Sequence, residues 1–496
     1  IILSGSDCHT FVSYFSKVKG VLPMIVFLVS FSFFFCSDYV SSIMIDVCVV
    51  GGGVMGSATA AAVSRRGQTC VLIEQFSSPG HGCGSSDGDG RIYRHAYAED
   101  HYLHLMDNAL KGWSKLEEFV VKALMHRTGY LDIAPRNSDK IVDQIKVYEK
   151  NGLRSDKLDS LDLQKKFPQI GIPSDWEALY QDDAGVLFAT EVVQALWSQA
   201  EHYGCSIIKD RVSMLTPPGS QCFVTVQLES GATVQAKSVV LACGSWTNKI
   251  LKNHPYLDIP LPLRISQETV AYFQPSPLCP PSLGHTMSDI PTFMAHVPNG
   301  LGPFGYYGIP IINTKFGIRG VKVANHCSGA SIDPDQRLEW GMIPLPLEET
   351  SKFSQYAKTH LKSFDDSHIF YPDKKQVHEH EAKLIQSAQD FVQKTFPFLD
   401  SKDLVSTTRC LYSLTPDHDF ILDTHPHHPE ICIAAGFSGH GFKFGFAVGE
   451  IMACLALKED ISNCIQLPPG TMEKFSLQRF SELNLSVYDD STAKIK

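Results

Sequence analysis

The sequence feature that most constrains this chain is a glycine motif between two apolar runs near residue 50. Residues 45–76 read IDVCVVGGGVMGSATAAAVSRRGQTCVLIEQF, with apolar residues at 47–50, small residues of helical character at 57–62 and a second apolar run at 70–73. Strand, helix and strand in this order predict the βαβ unit that binds dinucleotides. A simple glycine turn between two packed elements is the alternative, and it is disfavoured because an acidic residue also ends the second run.

Three glycines and one acid give this unit its binding chemistry. Gly51, Gly53 and Gly56 form a GxGxxG pattern. The first glycine is expected to make a tight turn, the second to let the backbone approach a pyrophosphate, and the third to let the helix pack closely on the sheet. The helix N-terminus offers N–H groups to phosphates, and the Glu74 carboxylate can accept hydrogen bonds from ribose hydroxyls. The unit therefore predicts a bound dinucleotide, without separating NAD from FAD.

Two remote segments are suited to complete the nucleotide fold. Residues 237–248, KSVVLACGSWTN, form an apolar strand that runs into a small-residue turn. Residues 431–449, ICIAAGFSGHGFKFGFAVG, form a strand that breaks into glycines and continues with helical spacing. A nucleotide domain assembled from three separated pieces is typical of flavoproteins, so this organisation favours FAD.

Four segments carry a resemblance to a known family. They are the glycine motif, SSDGDGRIYRHAYAEDHYL at 85–103, FGYYGIPIINTKFGIRGVKVANH at 304–326, and the block 410–443, which begins CLYSLTPD and ends FSGHGFK. Over residues 44 to about 481 the chain resembles the monomeric sarcosine oxidase and peroxisomal pipecolate oxidase group of the D-amino-acid oxidase superfamily. The resemblance implies an α/β fold with a Rossmann-like FAD-binding domain, and an α+β substrate domain whose mainly antiparallel sheet is flanked by helices.

The domain boundaries are predicted from where the nucleotide pieces lie. The predicted parts are an FAD-binding domain (44–127, 173–260 and 411–457), a substrate domain (128–172 and 261–410) and a C-terminal tail (458–496). Alternating apolar residues at 268–273 and 304–310 predict strands of an antiparallel sheet, and residues 376–395 have helical spacing. The stretch 275–291, rich in proline and serine, indicates an exposed loop.

Residues 1–43 precede this organisation. They include GVLPMIVFLVSFSFFFC at 20–36, an apolar run of 17 residues that is typical of a signal-peptide core or a short membrane anchor. We favour the alternative, an extension carried in by a gene model, because the chain starts at Ile1 and the βαβ unit begins directly after Met44. Membrane association is expected only under the first interpretation.

Charge and cysteine usage argue against several other functions. A net charge of −10 and a pI near 6.0 disfavour a nucleic-acid partner, which needs basic patches. The 14 cysteines include no CxxC pair, so neither a zinc site nor a disulfide framework is indicated, and a reducing compartment is the default. The stretch HPHHP at 425–429 is interpreted as a solvated turn between two strands rather than a metal site. We therefore predict no metal.

The resemblance assigns four cationic residues to the reaction. Arg94 and Lys443 match the residues that hold the substrate carboxylate, since arginine suits a planar carboxylate and lysine adds a point charge. Arg91 matches the arginine beside the flavin ring. Lys322 matches the lysine that promotes oxygen reduction, where a positive charge stabilises developing superoxide. Without the surrounding motifs, Arg94 would be better explained by a surface ion pair with the acid at 99 or 100, and Lys322 by a solvated strand edge.

The other matches concern the flavin and the substrate amine. Tyr307 and His326 match an aromatic and imidazole wall around the amine, and the alternative for each is a satisfied core residue. Cys410 matches the residue that forms a thioether to the flavin 8α carbon. Free cysteines are most often inert core residues, so this assignment depends on the flanking CLYSLTPD, which is close to the family's CMYTNTPD. Further cofactor contacts are expected at Val212, Gly439 and Gly441.

Three features depart from the family pattern. Asp87 stands where bacterial members have histidine, and Gly90 where a hydroxyl residue is usual, and an acid there would oppose the cationic site. Residues 493–495, Ala-Lys-Ile, approximate a peroxisomal targeting tripeptide but are followed by one further residue. A peroxisomal location is therefore expected by resemblance, and a cytoplasmic one otherwise.

These expectations combine into an FAD-dependent oxidoreductase acting on CH–NH bonds. The resemblance implies a small secondary amino acid of the sarcosine, L-pipecolate or L-proline class, hydride transfer to FAD, and reduction of oxygen to hydrogen peroxide by a monomeric enzyme. One alternative is an amine dehydrogenase of the same fold with another electron acceptor, which Lys322 argues against. The other is a catalytically inactive flavin-binding protein, disfavoured because the matched cations and Cys410 are all present.

Overall fold

The computed structural model describes residues 44–219, 222–254, 256–259, 261–297, 304–312, 320–335 and 374–481. The predicted N-terminal extension and the C-terminal tripeptide lie outside these residues. Within the described part of the chain, no helix is both long enough and apolar enough to cross a bilayer. Residues 45–496 form one unit, and the predicted boundaries between an FAD-binding and a substrate domain stay a prediction.

The described residues contain both strands and α-helices, and several strands follow one another without a helix between them. The strands are β1 (Ile45–Val50), β2 (Cys70–Glu74), β3 (Arg91–Tyr93), β4 (Met125–Arg127), β5 (Tyr130–Pro135), β6 (Asp156–Asp159), β7 (Trp176–Gln181), β8 (Gly185–Leu187), β9 (Ser206–Lys209), β10 (Val212–Thr216), β11 (Val224–Leu228), β12 (Thr233–Leu241), β13 (Arg264–Pro275), β14 (Thr292–Ala295), β15 (Tyr306–Ile309), β16 (Val321–Asn325), β17 (Ala330–Ser331), β18 (Leu399–Leu414), β19 (Ile421–His425) and β20 (His428–Ala435). The α-helices are α1 (Val54–Arg65), α2 (Asp100–Val120), α3 (Asp139–Lys150), α4 (Ser160–Lys166), α5 (Ala189–His202), α6 (Thr247–Lys252), α7 (Lys374–Thr395), α8 (Gly445–Leu457) and α9 (Thr471–Phe475).

The first sheet has the predicted dinucleotide-binding unit at its centre. β1 lies between β2 and β12 and is parallel to both, and β9 and β20 extend the parallel core on either side. β10 and β11 form an antiparallel hairpin on the first half of β12, and β19 pairs antiparallel with β20. Residues 47–50 and all of β2 are buried, which explains their uninterrupted apolar runs.

Helices α1, α2, α5 and α8 cover one face of this sheet and share an apolar core with it. Between α1 and α8 the backbones come very close. A β-carbon on Gly449 would lie 2.6 Å from the carbonyl carbon of Ala58 and 2.7 Å from its β-carbon. Small residues are therefore required on both helices, and a larger one would force them apart. The opposite face carries a second core, to which Leu251 of α6 contributes.

The second sheet is mainly antiparallel, as predicted, with β5 and β14 as a parallel pair. Its strands follow the order β17–β13–β16–β15–β14–β5–β7–β6, and β18 pairs with β13. Helix α7 packs on this sheet through aromatic contacts. The Phe391 ring stacks on Tyr306 at 4.2 Å, and the Phe396 ring lies 5.2 Å from Phe293.

The elements predicted around this sheet are confirmed. The helical spacing at 376–395 corresponds to α7, and the two alternating stretches correspond to β13 and β15. Between β13 and β14 the described backbone forms turns and one isolated bridge, from Thr286 to Ile311, as expected of the predicted loop. The loop is not exposed throughout, since His285 is buried.

A small third sheet, β3–β8–β4, holds the segment that contains the predicted arginines. Arg91 on β3 pairs with Leu187 on β8. β8 can approach β4 closely because its first residue is Gly185, where a β-carbon would lie 2.0 Å from the carbonyl oxygen of His126. Arg91 and the residue after β3, Arg94, therefore project from a fixed strand. The combination of these sheets and helices confirms the predicted α/β class.

Candidate active site

The glycine motif joins β1 to α1 through a turn that leaves no room for side chains. Gly51 has φ of +102°, and a β-carbon there would lie 2.4 Å from the carbonyl oxygen of Ala242. A β-carbon on Gly56 would lie 1.8 Å from the carbonyl oxygen of Gly51. Because any side chain would clash with backbone at these positions, glycine is required for the turn and for the packing of α1 on the sheet.

Glu74, the last residue of β2, borders the same turn. Its carboxylate accepts hydrogen bonds from the backbone N–H of Gly52 at 2.6 Å and of Phe76 at 2.9 Å. Burial raises the pKa of the Glu74 carboxyl group, and these backbone donors oppose that shift. Gly52 occupies a position of the GxGxxG pattern that any residue can fill, and the sequence analysis did not identify it as important. A β-carbon there would lie 2.6 Å from the Trp197 ring.

Ser86 lies at the N-terminus of α1. Its hydroxyl oxygen accepts a hydrogen bond from the backbone N–H of Val54 at 3.0 Å. It would also lie 3.1 Å from a β-carbon on Gly53. The segment 85–103 therefore contacts the nucleotide turn at one end and holds the two arginines further on.

A cavity of about 460 Å³ extends from this turn. Its lining includes these predicted cofactor residues: Gly51, Gly53, Glu74, Val212, Gly439 and Gly441. Arg91 lines it as well, so the cavity connects the nucleotide turn with the predicted reaction centre. Gly56 and Cys410 are not part of the lining, although Tyr412, two residues after Cys410, is.

The turn after β20 borders the cavity and depends on glycine. Gly439 has φ of +74°, and a β-carbon there would lie 2.3 Å from the Tyr412 ring. A β-carbon on Gly441 would lie 2.5 Å from the β-carbon of Phe437. This turn leads through a short 3-10 helix, Phe442–Phe444, into α8, and it thereby buries Lys443.

Arg91 is held by backbone oxygens at the edge of the cavity. Its guanidinium donates to the carbonyl oxygens of Ser85 and Gly90, both at 3.0 Å, and lies 5.7 Å from the Phe442 ring. Burial opposes the charge, but interactions with Cys410 and other nearby groups outweigh burial and raise the pKa of Arg91. The residue is therefore a permanent cation beside the cavity.

Arg94 and Lys443 meet at Tyr97. The guanidinium carbon of Arg94 lies 5.0 Å from the Tyr97 ring centroid. Lys443 donates from Nζ to the Tyr97 hydroxyl at 2.9 Å and to the carbonyl oxygen of His440 at 2.8 Å. The structure thus brings together the two cations that the sequence motifs paired. Asp100, considered above as a surface partner for Arg94, instead pairs with Lys150.

The two cations differ in their electrostatics. Burial and the neighbouring charge of Arg94 hold the pKa of Lys443 well below its usual range. Burial also opposes the charge on Arg94, but interactions with Tyr130, Tyr97 and Asp132 outweigh it and raise the pKa of Arg94. Arg94 therefore stays charged, whereas Lys443 gains protonation when an anion binds beside it.

Lys322 lies inside the second sheet. Its strand, β16, pairs with β13 on one side and β15 on the other, so the interpretation as a solvated edge lysine is wrong. The ammonium nitrogen is 5.9 Å from the Tyr307 ring centroid. Burial, reinforced by the charge of Arg91, lowers the pKa of Lys322 to about 8, while Cys410 and nearby acids oppose the shift. A role in oxygen chemistry stays a prediction.

Tyr307 and His326 form an aromatic wall with Tyr412. The His326 ring lies 5.7 Å from both tyrosine rings, edge to face in each case. Burial, together with the charges of Lys443 and Arg94, lowers the pKa of His326 to about 3. The imidazole is therefore neutral near neutral pH. Burial raises the pKa of Tyr307 above its ordinary value, so its hydroxyl keeps its proton.

Cys410 lies on β18, opposite Glu268 of β13, and is partly buried. Burial raises the pKa of its thiol to about 11, and the charges of Arg91 and Lys322 oppose that shift. The thiol is thus close enough to both cations for their charges to affect its pKa. A covalent bond to a cofactor stays a prediction.

Comparison with known proteins identifies the family. The family described as FAD dependent oxidoreductase matches residues 46–455. The chain belongs to this family. Peroxisomal sarcosine oxidase of Mus musculus is 30% identical over 440 residues, which cover 88% of this chain and 97% of that protein. Monomeric sarcosine oxidase of Bacillus sp. (strain B-0618) is 30% identical over 417 residues, covering 83% and 92%.

The fold is shared with solved structures of other proteins. A variant of NikD, described as an unusual amino acid oxidase essential for nikkomycin biosynthesis, aligns with a TM-score of 0.66 and 22% sequence identity over 87% of this chain and 97% of that chain. The resemblance inferred from the sequence motifs is therefore confirmed, and the protein is an FAD-dependent oxidoreductase.

Sequence reasoning missed two residues of this oxidoreductase, Tyr97 and His440. The Tyr97 hydroxyl accepts a hydrogen bond from Lys443 and lies 3.2 Å from His440 Nδ1. His440 Nε2 is 3.1 Å from the carbonyl oxygen of His418, which can only accept. Nε2 therefore carries the proton, and Nδ1 accepts from Tyr97. Both residues lie in motif segments quoted above, in the stretches RHAY and FSGHGFK, so the sequence contained a signal that could have identified them.

A buried acid, Asp132, supports the charge on Arg94. His296 Nε2 lies 2.6 Å from Asp132 Oδ1. Burial raises the pKa of Asp132, but the interactions with His296 and Arg94 outweigh it and lower that pKa. Asp132 therefore stays charged and favours the charge on Arg94. Neither Asp132 nor His296 lies in a motif, and no sequence signal could have found them.

Two of the three departures from the family pattern, Asp87 and Gly90, lie beside the cations. Burial raises the pKa of Asp87, and the charges of Arg91 and Lys322 oppose that shift, so the acid lies within reach of both. A β-carbon on Gly90 would lie 2.6 Å from the side chain of Ile312 and 2.7 Å from that of Val186. A hydroxyl residue at position 90 therefore does not fit unless these two side chains move.

The histidine stretch 425–429 forms the hairpin between β19 and β20. His425 is buried and stacks on His428 at 5.1 Å, and burial lowers the pKa of His425 to about 4. The prediction of a solvated turn is therefore wrong for His425, although His427 is exposed. Within the described residues, the side chains close enough to share a metal ion lie elsewhere, at Cys454, Glu459 and Cys464.

Proposed function

We propose that this FAD-dependent oxidoreductase oxidises the CH–NH bond of a small secondary amino acid and reduces oxygen to hydrogen peroxide. Sarcosine, L-pipecolate and L-proline represent the substrate class. The observation that carries the proposal is the meeting of Arg94 and Lys443 at Tyr97, next to Phe442, which lines the dinucleotide cavity. The sarcosine oxidases among the relatives support it.

The cavity has the features that FAD binding needs. In this proposal the Glu74 carboxylate binds the adenosine ribose, and the backbone at Gly51 and Gly53 approaches the pyrophosphate together with the N-terminal N–H groups of α1. Val212, Gly439 and Gly441 line the path toward Arg91. FAD, when bound, supplies the acceptor for two electrons and returns them to oxygen.

The substrate carboxylate binds Arg94 and Lys443. Two of the three N–H donors of Lys443 are used by Tyr97 and His440, which leaves one for the carboxylate. A bound carboxylate favours the charged form of Lys443, so binding restores the protonation that burial disfavours. Arg94 is already charged and adds a planar donor pair.

The substrate amine is held in its neutral form beside His326 and Tyr307. The imidazole carries no charge, because its pKa lies at about 3, and the two nearby cations disfavour a third positive charge. Only the neutral amine has the nitrogen lone pair that stabilises loss of a hydride from the adjacent carbon. The site therefore selects the reactive protonation state as well as the carboxylate.

Lys322 serves the oxygen step. A partly buried ammonium beside Arg91 stabilises negative charge that develops on oxygen, since fixed charges act strongly in a site of low dielectric. An amine dehydrogenase with another acceptor has no need of this cation. The partly buried position of Lys322 therefore favours the oxidase over that alternative.

We further propose that Cys410 is covalently bonded to the flavin. Acid precipitation of the wild-type protein should leave a yellow, fluorescent pellet, and Cys410→Ser should release the colour into the supernatant. Cys432→Ser is the matched control, because this buried cysteine lies on β20 and outside the CLYSLTPD stretch that carries the assignment of Cys410. Colour released from the wild type, or retained by Cys410→Ser, contradicts the bond.

Oligomeric state and location are inferred from the relatives alone. We propose a monomer, as the name monomeric sarcosine oxidase describes for the bacterial relatives, and a peroxisomal location, as described for the mouse relative. A cytoplasmic location is the alternative. Size-exclusion chromatography with light scattering tests the first, and imaging of a protein tagged at its N-terminus tests the second.

The experiment that tests the activity is a substrate panel with three readouts on the purified holoenzyme: anaerobic flavin bleaching, oxygen consumption and peroxide formation. We expect secondary amino acids to bleach the flavin and to yield one peroxide per oxygen consumed. Bleaching with little oxygen uptake would favour the dehydrogenase, and no bleaching by any member would favour the inactive flavin-binding protein.

A further inference from the structure

Two cysteines that the proposed reaction does not use lie together at the C-terminal end of α8. The sulfur atoms of Cys454 and Cys464 and a carboxylate oxygen of Glu459 all lie within 4.8 Å of one another. Cys454 is buried in the helix, whereas Cys464 is partly exposed. The helix ends at Lys458 in the left-handed conformation, with φ of +58°, and the backbone N–H of Glu459 bonds to the carbonyl oxygen of Cys454 at 2.8 Å. The chain thus folds back and returns Cys464 to Cys454.

A fixed cation distinguishes this cluster from a metal site. Arg66, just after α1, directs Nη2 to the sulfur of Cys454 at 3.6 Å and Nε to Glu459 at 3.3 Å. Its guanidinium is anchored by Glu450 at 2.7 Å. A guanidinium in contact with two of the three candidate ligands repels a metal cation, and its charge opposes the burial that raises the pKa of the Cys454 thiol to about 12. The charge environment therefore favours thiol chemistry.

We propose that Cys454 and Cys464 form a dithiol that hydrogen peroxide oxidises to a disulfide. The thiolate of the more exposed Cys464 attacks one peroxide oxygen, the O–O bond breaks, and the departing hydroxide takes a proton to become water. The Cys454 thiol loses its proton as its sulfur attacks the resulting sulfenic sulfur, and that proton leaves with the sulfenic hydroxide as a second water. Two thiols are oxidised by two electrons and one peroxide is reduced to two waters.

The disulfide would close the segment after α8 onto the helix. α8 begins directly after the turn that holds Lys443, and it packs on α1 through the contact of Gly449 with Ala58. A crosslink at the C-terminal end of α8 limits fraying of this helix, on which the burial of Lys443 and the contact with Ala58 depend. Exposure to hydrogen peroxide, the product of the proposed reaction, would thus make the part of the enzyme that binds the cofactor more stable.

The chain offers a matched control in a second pair of cysteines. Cys70 on β2 and Cys205 just before β9 are both buried, and each affects the pKa of the other. Peroxide does not reach a buried pair readily, because oxidation of a thiol requires that the oxidant can reach its sulfur. Cys454 and Cys464 should therefore react while Cys70 and Cys205 stay reduced.

The test uses reduced holoenzyme treated with hydrogen peroxide in the absence of substrate, then alkylated in denaturant and mapped by mass spectrometry. We expect a crosslinked peptide pair containing Cys454 and Cys464, lighter by two hydrogens, and a several-fold slower reaction in Arg66→Gln. In Cys464→Ser the crosslink should be lost and Cys454 alkylated. Retention of both thiols in the wild type overturns the proposal. So does stoichiometric zinc binding by the reduced wild type that Cys464→Ser abolishes.

The inference rests on the proposed function for the source of peroxide, and a second arm separates the two. Turnover with sarcosine replaces added peroxide, with and without catalase. A crosslink from added peroxide but not from turnover supports the dithiol and contradicts the oxidase. Peroxide produced in turnover without any crosslink, added peroxide included, supports the oxidase and overturns the dithiol.

Discussion

The glycine turn presents backbone from one short stretch to the cavity, whereas the cation pair next to Phe442, which also lines the cavity, consists of charged side chains from separate segments. Gly51 and Gly56 act through the absence of a side chain, since a β-carbon on either would meet backbone oxygen. Arg94 and Lys443 act through charge, and they belong to segments near opposite ends of the described chain.

The glycine turn is therefore expected to determine the fold, and the cation pair to determine binding and reaction. Backbone at the glycine turn cannot move without displacing β1 or α1, so added volume there should disrupt the fold before it alters any reaction. The cations lie at the ends of side chains that have neutral replacements of similar size, so their removal should leave the fold intact and alter binding or rate.

The largest effect is expected for Gly56→Ala. A β-carbon 1.8 Å from the Gly51 oxygen forces α1 away from the sheet, which should cost at least about 3 kcal/mol of the free energy of unfolding and lower flavin content. Denaturant unfolding and the flavin-to-protein absorbance ratio measure this. Gly219→Ala is the control, because a β-carbon there meets nothing within 4 Å. Wild-type stability in Gly56→Ala would contradict the distinction between the glycine turn and the cation pair.

Lys322→Met should affect the oxygen step while leaving the fold intact. We expect reoxidation of the reduced flavin to slow by roughly 10²- to 10³-fold, the range seen when one stabilising donor is removed from a developing anion. In the wild type this rate should fall as pH rises through about 8, where Lys322 loses its proton, and the variant should lack that step.

Stopped-flow oxygen mixing over a pH series measures the effect of Lys322→Met. Lys402→Met, at an exposed position, is the control. An unchanged oxygen rate constant in Lys322→Met would leave this lysine with a structural role only.

Arg94→Met and Lys443→Met should each weaken carboxylate binding by about ten- to a hundredfold, since a charge-assisted hydrogen bond contributes roughly 1.5–3 kcal/mol. The double variant should lose less than the sum, because both residues bind one group. Titration of the flavin spectrum with pyrrole-2-carboxylate measures this, and pyrrole, which lacks the carboxylate, is the control ligand. Wild-type affinity in either single variant would mean that the carboxylate binds elsewhere.

The smallest effect is expected for Tyr97→Phe, which removes the hydroxyl between Lys443 and His440. Loss of one such hydrogen bond should cost roughly 0.5–1.5 kcal/mol, about two- to tenfold in the affinity for the same acid. The pH at which acid binding weakens should also shift, because the hydroxyl positions the ammonium group. Tyr203→Phe, at an exposed tyrosine, is the control. An unshifted pH profile would assign Tyr97 to packing alone.

The features that could be predicted from the sequence are divided in the same way, into contacts within one short stretch and contacts between separate segments. The βαβ unit was predictable because its periodicity, glycines and acid lie within one short stretch, where local geometry determines the contacts. The pairing of Arg94 with Lys443 came only from the resemblance to a family, since nothing in the spacing of two remote residues indicates that they meet.

The contacts that sequence reasoning missed join distant segments. Tyr97 and His440 are 343 residues apart, and Asp132 and His296 are 164 residues apart. Burial is equally non-local, which is why His425, polar and next to prolines, was wrongly expected to be solvated. Such contacts depend on how sheets and helices pack, and no single segment contains that information.

The packing of α8 on α1 also determines when the protein can first bind its cofactor during synthesis. Among the described elements β1, α1 and β2 are synthesised first, but β1 must wait for β12, and α1 must wait for α8, before either is covered. Until then the nascent chain exposes apolar strands with unpaired edges, a state that invites aggregation and favours chaperone binding. We therefore expect flavin insertion to be a late step of biogenesis, and a messenger truncated before the codons of α8 should yield a polypeptide that retains the nucleotide poorly.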